Sequence, residues 1–216
     1  MNFALVSHFN VSADTSEAIL EWLRTALRSQ QSSNLAEVVF YRAANPQQFL
    51  NLSFFWQESS PQECKDLFRL RNSSQGLDTR QLVKQQLYQL LWEYRSFGHY
   101  YNASASALQI LNFVGPHSCP ELGKDLTLAM QQLRADTPEL VGLWLGEALY
   151  SAKPYFIIRS DWKSLQGYHD FISSQRHQRF QVAKQVLKAE AVYSTELEPL
   201  SWSLDKDDEG CERLFI

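Results

Sequence analysis

The chain has 216 residues, of which 44% are hydrophobic and 13% aromatic, enough to fill a sizeable core, and its formal net charge is −4. That charge supplies no sequence-independent attraction to a phosphate backbone, which excludes nucleic acid as the expected partner. The longest apolar runs, such as Phe54 to Trp56 and Tyr155 to Ile158, fall far short of the ~20 residues that cross a bilayer, so no membrane span is expected either.

The stretch from Met1 to His8 alternates like a strand and lacks the basic start and small-residue cleavage site of a signal peptide. Cys64, Cys119 and Cys211 form no CxxC pair. An odd count of thiols without a secretory signal points to a reducing, cytoplasmic setting.

The elements follow in order. Phe3 to Phe9 reads as a strand, and Ser12 or Asp14 can cap a helix with Ile19, Leu20, Leu23 and Leu27 on one face, ending near Gln30. Ala36 to Arg42 and Gln48 to Trp56 are β-branched and aromatic, and Ala43 to Pro46 joins them as a hairpin. Ser59 or Ser60 before Pro61 opens a helix, and a second is predicted from Asp78 or Thr79 with Leu82, Val83, Leu87, Leu90 and Leu91 on one side. A fourth strand is expected over Glu93 to Tyr101. Asn102 to Ser106 is small and polar, so residues 102–107 read as a linker.

The same order then recurs. Leu108 to Val114 reads as strand, and Ser118-Cys119-Pro120-Glu121 as the start of a helix with Leu122, Leu126, Met130 and Leu133 on one face. A hairpin of Leu140 to Leu149 with Pro154 to Trp162 comes next. Helices from Ser164 and over Gln175 to Leu187, and a strand over Ala189 to Glu198, complete it. An offset of 106 residues aligns Leu5 with Leu111, Leu20 with Leu126, Leu27 with Leu133 and Trp56 with Trp162. Residues 201–216, with Asp205-Lys206-Asp207-Asp208-Glu209-Gly210, read as an acidic tail.

Two β-α-β-β-α-β halves, over 1–101 and 108–200, imply an α+β fold of two fused ferredoxin-like modules. Their strands are apolar on both sides, as in Val38 to Tyr41 and Tyr155 to Ile158, so the antiparallel sheets are expected to pack on each other as an α/β barrel.

The segment from Ser160 to His177, Ser-Asp-Trp-Lys-Ser-Leu-Gln-Gly-Tyr-His-Asp-Phe-Ile-Ser-Ser-Gln-Arg-His, resembles the strand-to-helix signature of antibiotic biosynthesis monooxygenase-like domains. Ala191 to Pro199 resembles that family's last strand. The resemblance covers Leu108 to Leu200, and the first half by its pattern and by Phe54 to Ser59. It implies a dimeric α/β barrel, which fused repeats would close as an internal pseudo-dimer or as a homodimer. It also implies a cavity between sheet and helices, in which some members oxidise polycyclic aromatics without a cofactor and others bind and degrade haem. Asn112 stands where the haem-degrading members carry a strand Asn, but Gln181 stands where they place the haem-ligating His. An amide is a poor ligand for haem iron, so no cofactor is expected.

Four residues carry the functional expectation. Asn112, between Leu111 and Phe113, is either a structural hydrogen-bonding residue or a ligand contact. His177 matches a family His at a helix N-terminus, with capping or packing as its plain reading and catalysis as its sharper one. Trp144 belongs to a set of strand aromatics that can fill the core or stack on a flat apolar ligand. Arg159, with Arg95, Glu37 and Glu147, lies inside a strand pattern, where a buried charge must find a partner. His8 and His99, near strand ends, are further acid or base candidates. The five histidines form no HxH or HxxxH pair, and no GxGxxG, P-loop or GxSxG occurs, so neither a metal nor a nucleotide is expected. The resulting choice lies between a binder or cofactor-independent monooxygenase-like enzyme for an apolar aromatic compound and a non-catalytic interaction module of the same fold.

Overall fold

The computed structural model describes residues 3–10, 35–43, 48–55, 61–62, 82–96, 103–113, 119–135, 137–151, 155–186 and 189–203. The fold is α+β and ferredoxin-like, with antiparallel strands and, among the described residues, three helices of at least eight residues. The chain forms two compact units, Met1–Gln89 with Glu198–Ile216, and Leu90–Leu197.

In the first unit, β1 (Phe3–Asn10) lies between β3 (Gln48–Phe55) and the first part of β4 (Leu82–Arg95), and β3 also pairs with β2 (Leu35–Ala43). The order is therefore β4-β1-β3-β2. Consecutive residues Ala4, Leu5, Val6 and Ser7 are all buried, as expected of a strand covered on both faces. Ser7 satisfies its hydroxyl by accepting from Gln85 Nε2 at 3.1 Å.

One expectation fails here. The stretch with Leu82, Val83, Leu87, Leu90 and Leu91 is strand β4, which ends at Arg95, and not a helix followed by a strand from Glu93. Its leucine spacing fits a helix, but it pairs with the free edge of β1, placing Tyr88 against Ala4 and Leu87 against Leu5. Pairing with a waiting strand outweighs a weak local preference. The helix expected from Ser12, His99, His117 and the acidic tail lie outside the described residues.

In the second unit, β5 (Ala105–Phe113) pairs with β7 (Tyr155–Trp162) and with β8 (Ala189–Ser203), and β6 (Leu140–Ala148) pairs with β7, giving the order β8-β5-β7-β6. Ser96 N, just past β4, donates to Val141 O at 2.8 Å. Strand β5 starts three residues earlier than its apolar pattern suggests. Ala105 and Ala107, read as linker for their small size, are buried core residues, and Ala105 sits opposite the bulky Trp162.

Helices α1 (Cys119–Ala135), α2 (Leu165–Ile172) and α3 (Gln175–Val186) cover one face of this sheet. Leu122, Leu126, Met130 and Leu133 recur at i, i+4, i+8 and i+11 along α1, and all four are buried. They meet Leu111, Leu143, Leu145, Phe156, Ile158 and Trp162 from the sheet. Each such side chain, once buried, contributes ~1.5–3 kcal/mol. Among the described residues no helix is long and apolar enough to cross a membrane.

Candidate functional site

Strand alternation gives the second unit's sheet two faces, one packed by apolar side chains and one that mixes apolar with polar and charged residues. On β7, Phe156, Ile158 and Trp162 belong to the helix-facing core, so Tyr155, Ile157, Arg159 and Asp161 point to the other side. The register places Ser106 opposite Asp161 on β5, and Trp144 opposite Arg159 on β6. These four meet in one patch. Arg159 and Asp161 are each 1% exposed, Ser106 2% and Trp144 3%.

The patch is organised around the Asp161 carboxylate. Its Oδ1 accepts from Arg159 Nε at 2.8 Å and from Ser106 Oγ at 2.5 Å. A carboxylate held by a guanidinium and a hydroxyl satisfies the requirement that buried charges be paired. It also fixes Arg159 beside the Trp144 indole. On either side of Trp144, this face of β6 carries Gly142 and Gly146, opposite Asp161 and Ile157, so β6 projects no other side chain there.

Asn112 lies on the same face at the far end of β5, opposite Tyr155 and four residues along from Leu108, which faces Arg159. At ~3.3 Å per residue the two positions are about 13 Å apart along the strand. Asn112 Oδ1 is buried and accepts no hydrogen bond. Asn112, Trp144 and Arg159 thus share one face but do not form one contact.

His177 is elsewhere, on the helix side of the sheet. Ser174 Oγ accepts from His177 N at 3.3 Å at the start of α3, and Nδ1 lies 2.8 Å from Ile172 O. Its Nε2 lies 2.6 Å from Gln181 Nε2, and its ring packs on Phe171 with centroids 5.2 Å apart. Donation from Nδ1 to the carbonyl leaves Nε2 to accept from the Gln181 amide, so His177 ties α2 to α3. Gln181 is engaged by this imidazole. Beneath α2 and α3, bounded by Trp162, Tyr168, Phe171, His177 and Phe180, the free volume is about 30 Å³. That is room for about one water.

Several positions of the segment that carries the family resemblance have a structural role. Ser160 Oγ accepts from the Trp162 indole at 2.9 Å, and Ser164 Oγ caps α2 by accepting from Gly167 N at 3.0 Å. Tyr168 and Phe171 pack on Trp162 with centroids 5.5 and 4.9 Å away. A Cβ at Gly167 would lie 3.2 Å from Ser164 Oγ and 3.3 Å from Glu139 Cβ, a close approach that favours glycine. Burial first, and then the Glu196 carboxylate, push the Tyr168 phenol above its ordinary pKa.

Of the other charged strand residues, Arg95 pairs with Glu93 at 2.5 Å near the surface. Asp161 and Ser106 were not among the sequence candidates. The signal for Asp161 was present: it sits two residues from Arg159 on one strand, and residues i and i+2 share a face. Among the described residues no group of three His, Cys, Asp or Glu side chains could hold a metal ion.

No protein-family model and no curated protein matches the sequence. Solved structures do match its fold. The chain is similar to an anthrone oxidase-like protein at 12% identity, with a TM-score of 0.70 over 94% of this chain and 92% of the other. A monooxygenase-named protein of Fusobacterium nucleatum aligns at 10% identity and TM-score 0.68 over 100% and 98%. A heme-binding protein of Thermus thermophilus aligns at 9% identity and TM-score 0.58 over 93% and 92%. The shared fold is that of antibiotic-biosynthesis-monooxygenase-like ferredoxin-fold proteins.

Proposed function

We propose that the protein binds a flat, apolar aromatic compound on the Trp144–Arg159 face of the second unit's sheet, as a cofactor-independent monooxygenase-like enzyme or as a binder of such a compound. The observation that carries this reading is the pairing of a buried indole with a guanidinium already oriented by Asp161. The indole offers a stacking surface. In this reading the fixed cation stabilises negative charge on an oxygen of the bound aromatic. Asn112, whose carbonyl oxygen is buried without a hydrogen-bond donor, offers a polar contact at the far end of the same face. His177 serves this reading only by holding α2 to α3.

The reading includes a tandem of ferredoxin-like modules, residues 1–101 and 108–200, whose sheets close an α/β barrel within one cytoplasmic chain. The β4-β1-β3-β2 and β8-β5-β7-β6 orders support it, because each places first-, second-, third- and fourth-strand equivalents in the same sequence.

The test is titration with anthrone, a tricyclic aromatic ketone, followed by tryptophan fluorescence and by an oxygen electrode. Saturable quenching that weakens at least about tenfold in Trp144→Phe is expected for either role. Oxygen uptake accompanying it marks the enzyme. A Trp144→Phe variant that binds as tightly as the parent overturns the site. The alternative, a non-catalytic interaction module, draws its support from the filled space under α2 and α3, and it predicts no saturable quenching at all.

A further inference from the structure

Between α1 and α3 lies a groove of about 190 Å³ that the reading above does not use. Ala129 and Leu133 of α1 and Phe180 and Ala183 of α3 give it an apolar lining, and Arg176 and Arg179 belong to its wall. Positions 176, 179, 180 and 183 follow the i, i+3, i+4, i+7 spacing of one helix face, so both guanidinium groups stand over one side of the groove.

Two features of these arginines bear on what the groove can hold. Neither makes an ion pair or side-chain hydrogen bond among the described residues, although Arg95, Arg159 and Lys163 all have carboxylate partners. Arg176 also lies in the first turn of α3, which has no acidic residue, and Arg179 follows in the next turn. A helix N-terminus carries partial positive charge and ordinarily attracts Asp or Glu, so cations there weaken the helix and reinforce its pull on an anion.

We propose that this groove binds a small carboxylate with a short apolar body, the carboxylate on the Arg176 and Arg179 forks and the body against Leu133, Phe180 and the two alanines. Guanidinium matches carboxylate geometry through paired N–H donors. The volume suits a single ring, since a benzene molecule occupies an engineered cavity of about 150 Å³. This site is lined by residues of α1 and α3 alone and does not depend on the Trp144–Arg159 reading.

The test is a titration of the full chain with sodium benzoate, followed by amide and arginine Nε shifts in an NMR spectrum, at low salt. Saturable shifts at residues 129–133 and 176–183 are expected, with affinity falling at least about tenfold in Arg176→Gln/Arg179→Gln and for benzamide, the uncharged isostere. Ala183→Leu, which fills the floor while leaving both cations, is expected to weaken benzoate and leave inorganic phosphate unaffected. Benzamide binding as well as benzoate, phosphate binding as well as benzoate, or no saturable shift in the folded parent protein overturns the proposal.

Discussion

The two faces of the second unit's sheet are cut from alternate residues of the same strands, yet they solve burial differently. The helix-facing side, with Leu143, Leu145, Phe156, Ile158 and Trp162, is closed by side-chain volume. The other side carries apolar Leu108, Ile110 and Ile157 as well, but its polar members, Ser106, Arg159 and Asp161, are just as buried and are held by charge. Burial alone therefore does not distinguish core from site. What distinguishes them is the partner each residue requires: an apolar side chain needs neighbours of the right shape, and a buried ion needs one particular counter-ion.

The largest expected effect comes from removing that counter-ion. Asp161→Ala leaves the Arg159 guanidinium desolvated with its carboxylate gone, which should cost ~3–5 kcal/mol in urea denaturation. Arg159→Met/Asp161→Leu removes both charges at similar volume and should fall within ~1 kcal/mol of the parent or exceed it. A single variant that loses no more than the double one would show that water or another group compensates the arginine, and the contrast between the faces would fail.

On the helix side the corresponding loss is volumetric. Leu126, fully buried on α1, should cost ~2–5 kcal/mol on truncation to Ala, from lost transfer energy and the cavity left behind. Leu128, two residues on and 50% exposed, should change stability by no more than ~0.5 kcal/mol with the same substitution. Equal losses at the two positions would mean that α1 presents a different face to the sheet.

The first of these faces was legible in the sequence, the second only in part. The α1 periodicity, the hairpin of β6 with β7 and the cap at Ser164 were readable because each depends on residues close in sequence. Trp144 and Arg159 were identified separately, and it took the β6–β7 register to make them neighbours. Asp161 was passed over because it falls within a run that reads as a family signature rather than as a charge. Ser106 was passed over because a small polar residue after Asn102 and Ser104 looks like linker. Strand β4 was misread for a related reason: its leucines are spaced for a helix, and the strand partner that decides its structure lies some 80 residues earlier.

Asn112 sharpens the comparison further, since it lies on the charged face without the hydrogen bond such a face ought to supply. Asn112→Leu keeps the side chain's approximate size and deletes a buried carbonyl oxygen that has no donor. Stability should stay level or rise by ~1–2 kcal/mol, while aromatic-ligand affinity should fall if the amide is a ligand contact. A clear loss of stability would instead mean that a bound water supports the amide, making Asn112 structural.

The smallest effect at neutral pH, and the one most easily isolated, concerns Tyr168 on the helix side. Burial against Trp162 and the neighbouring Glu196 carboxylate both favour its neutral phenol, so its pKa in the folded chain lies above the value near 10 expected when unfolded. A group whose folded pKa is raised contributes stability below its unfolded pKa, and that contribution drains away as pH climbs from about 10 through the folded value. Tyr168→Phe should therefore match the parent at pH 7 and lose less stability than the parent above about pH 10. If the two curves stay parallel, the Tyr168 phenol reaches water in the folded protein, and the helix layer over Trp162 is looser than its packing against the ring implies.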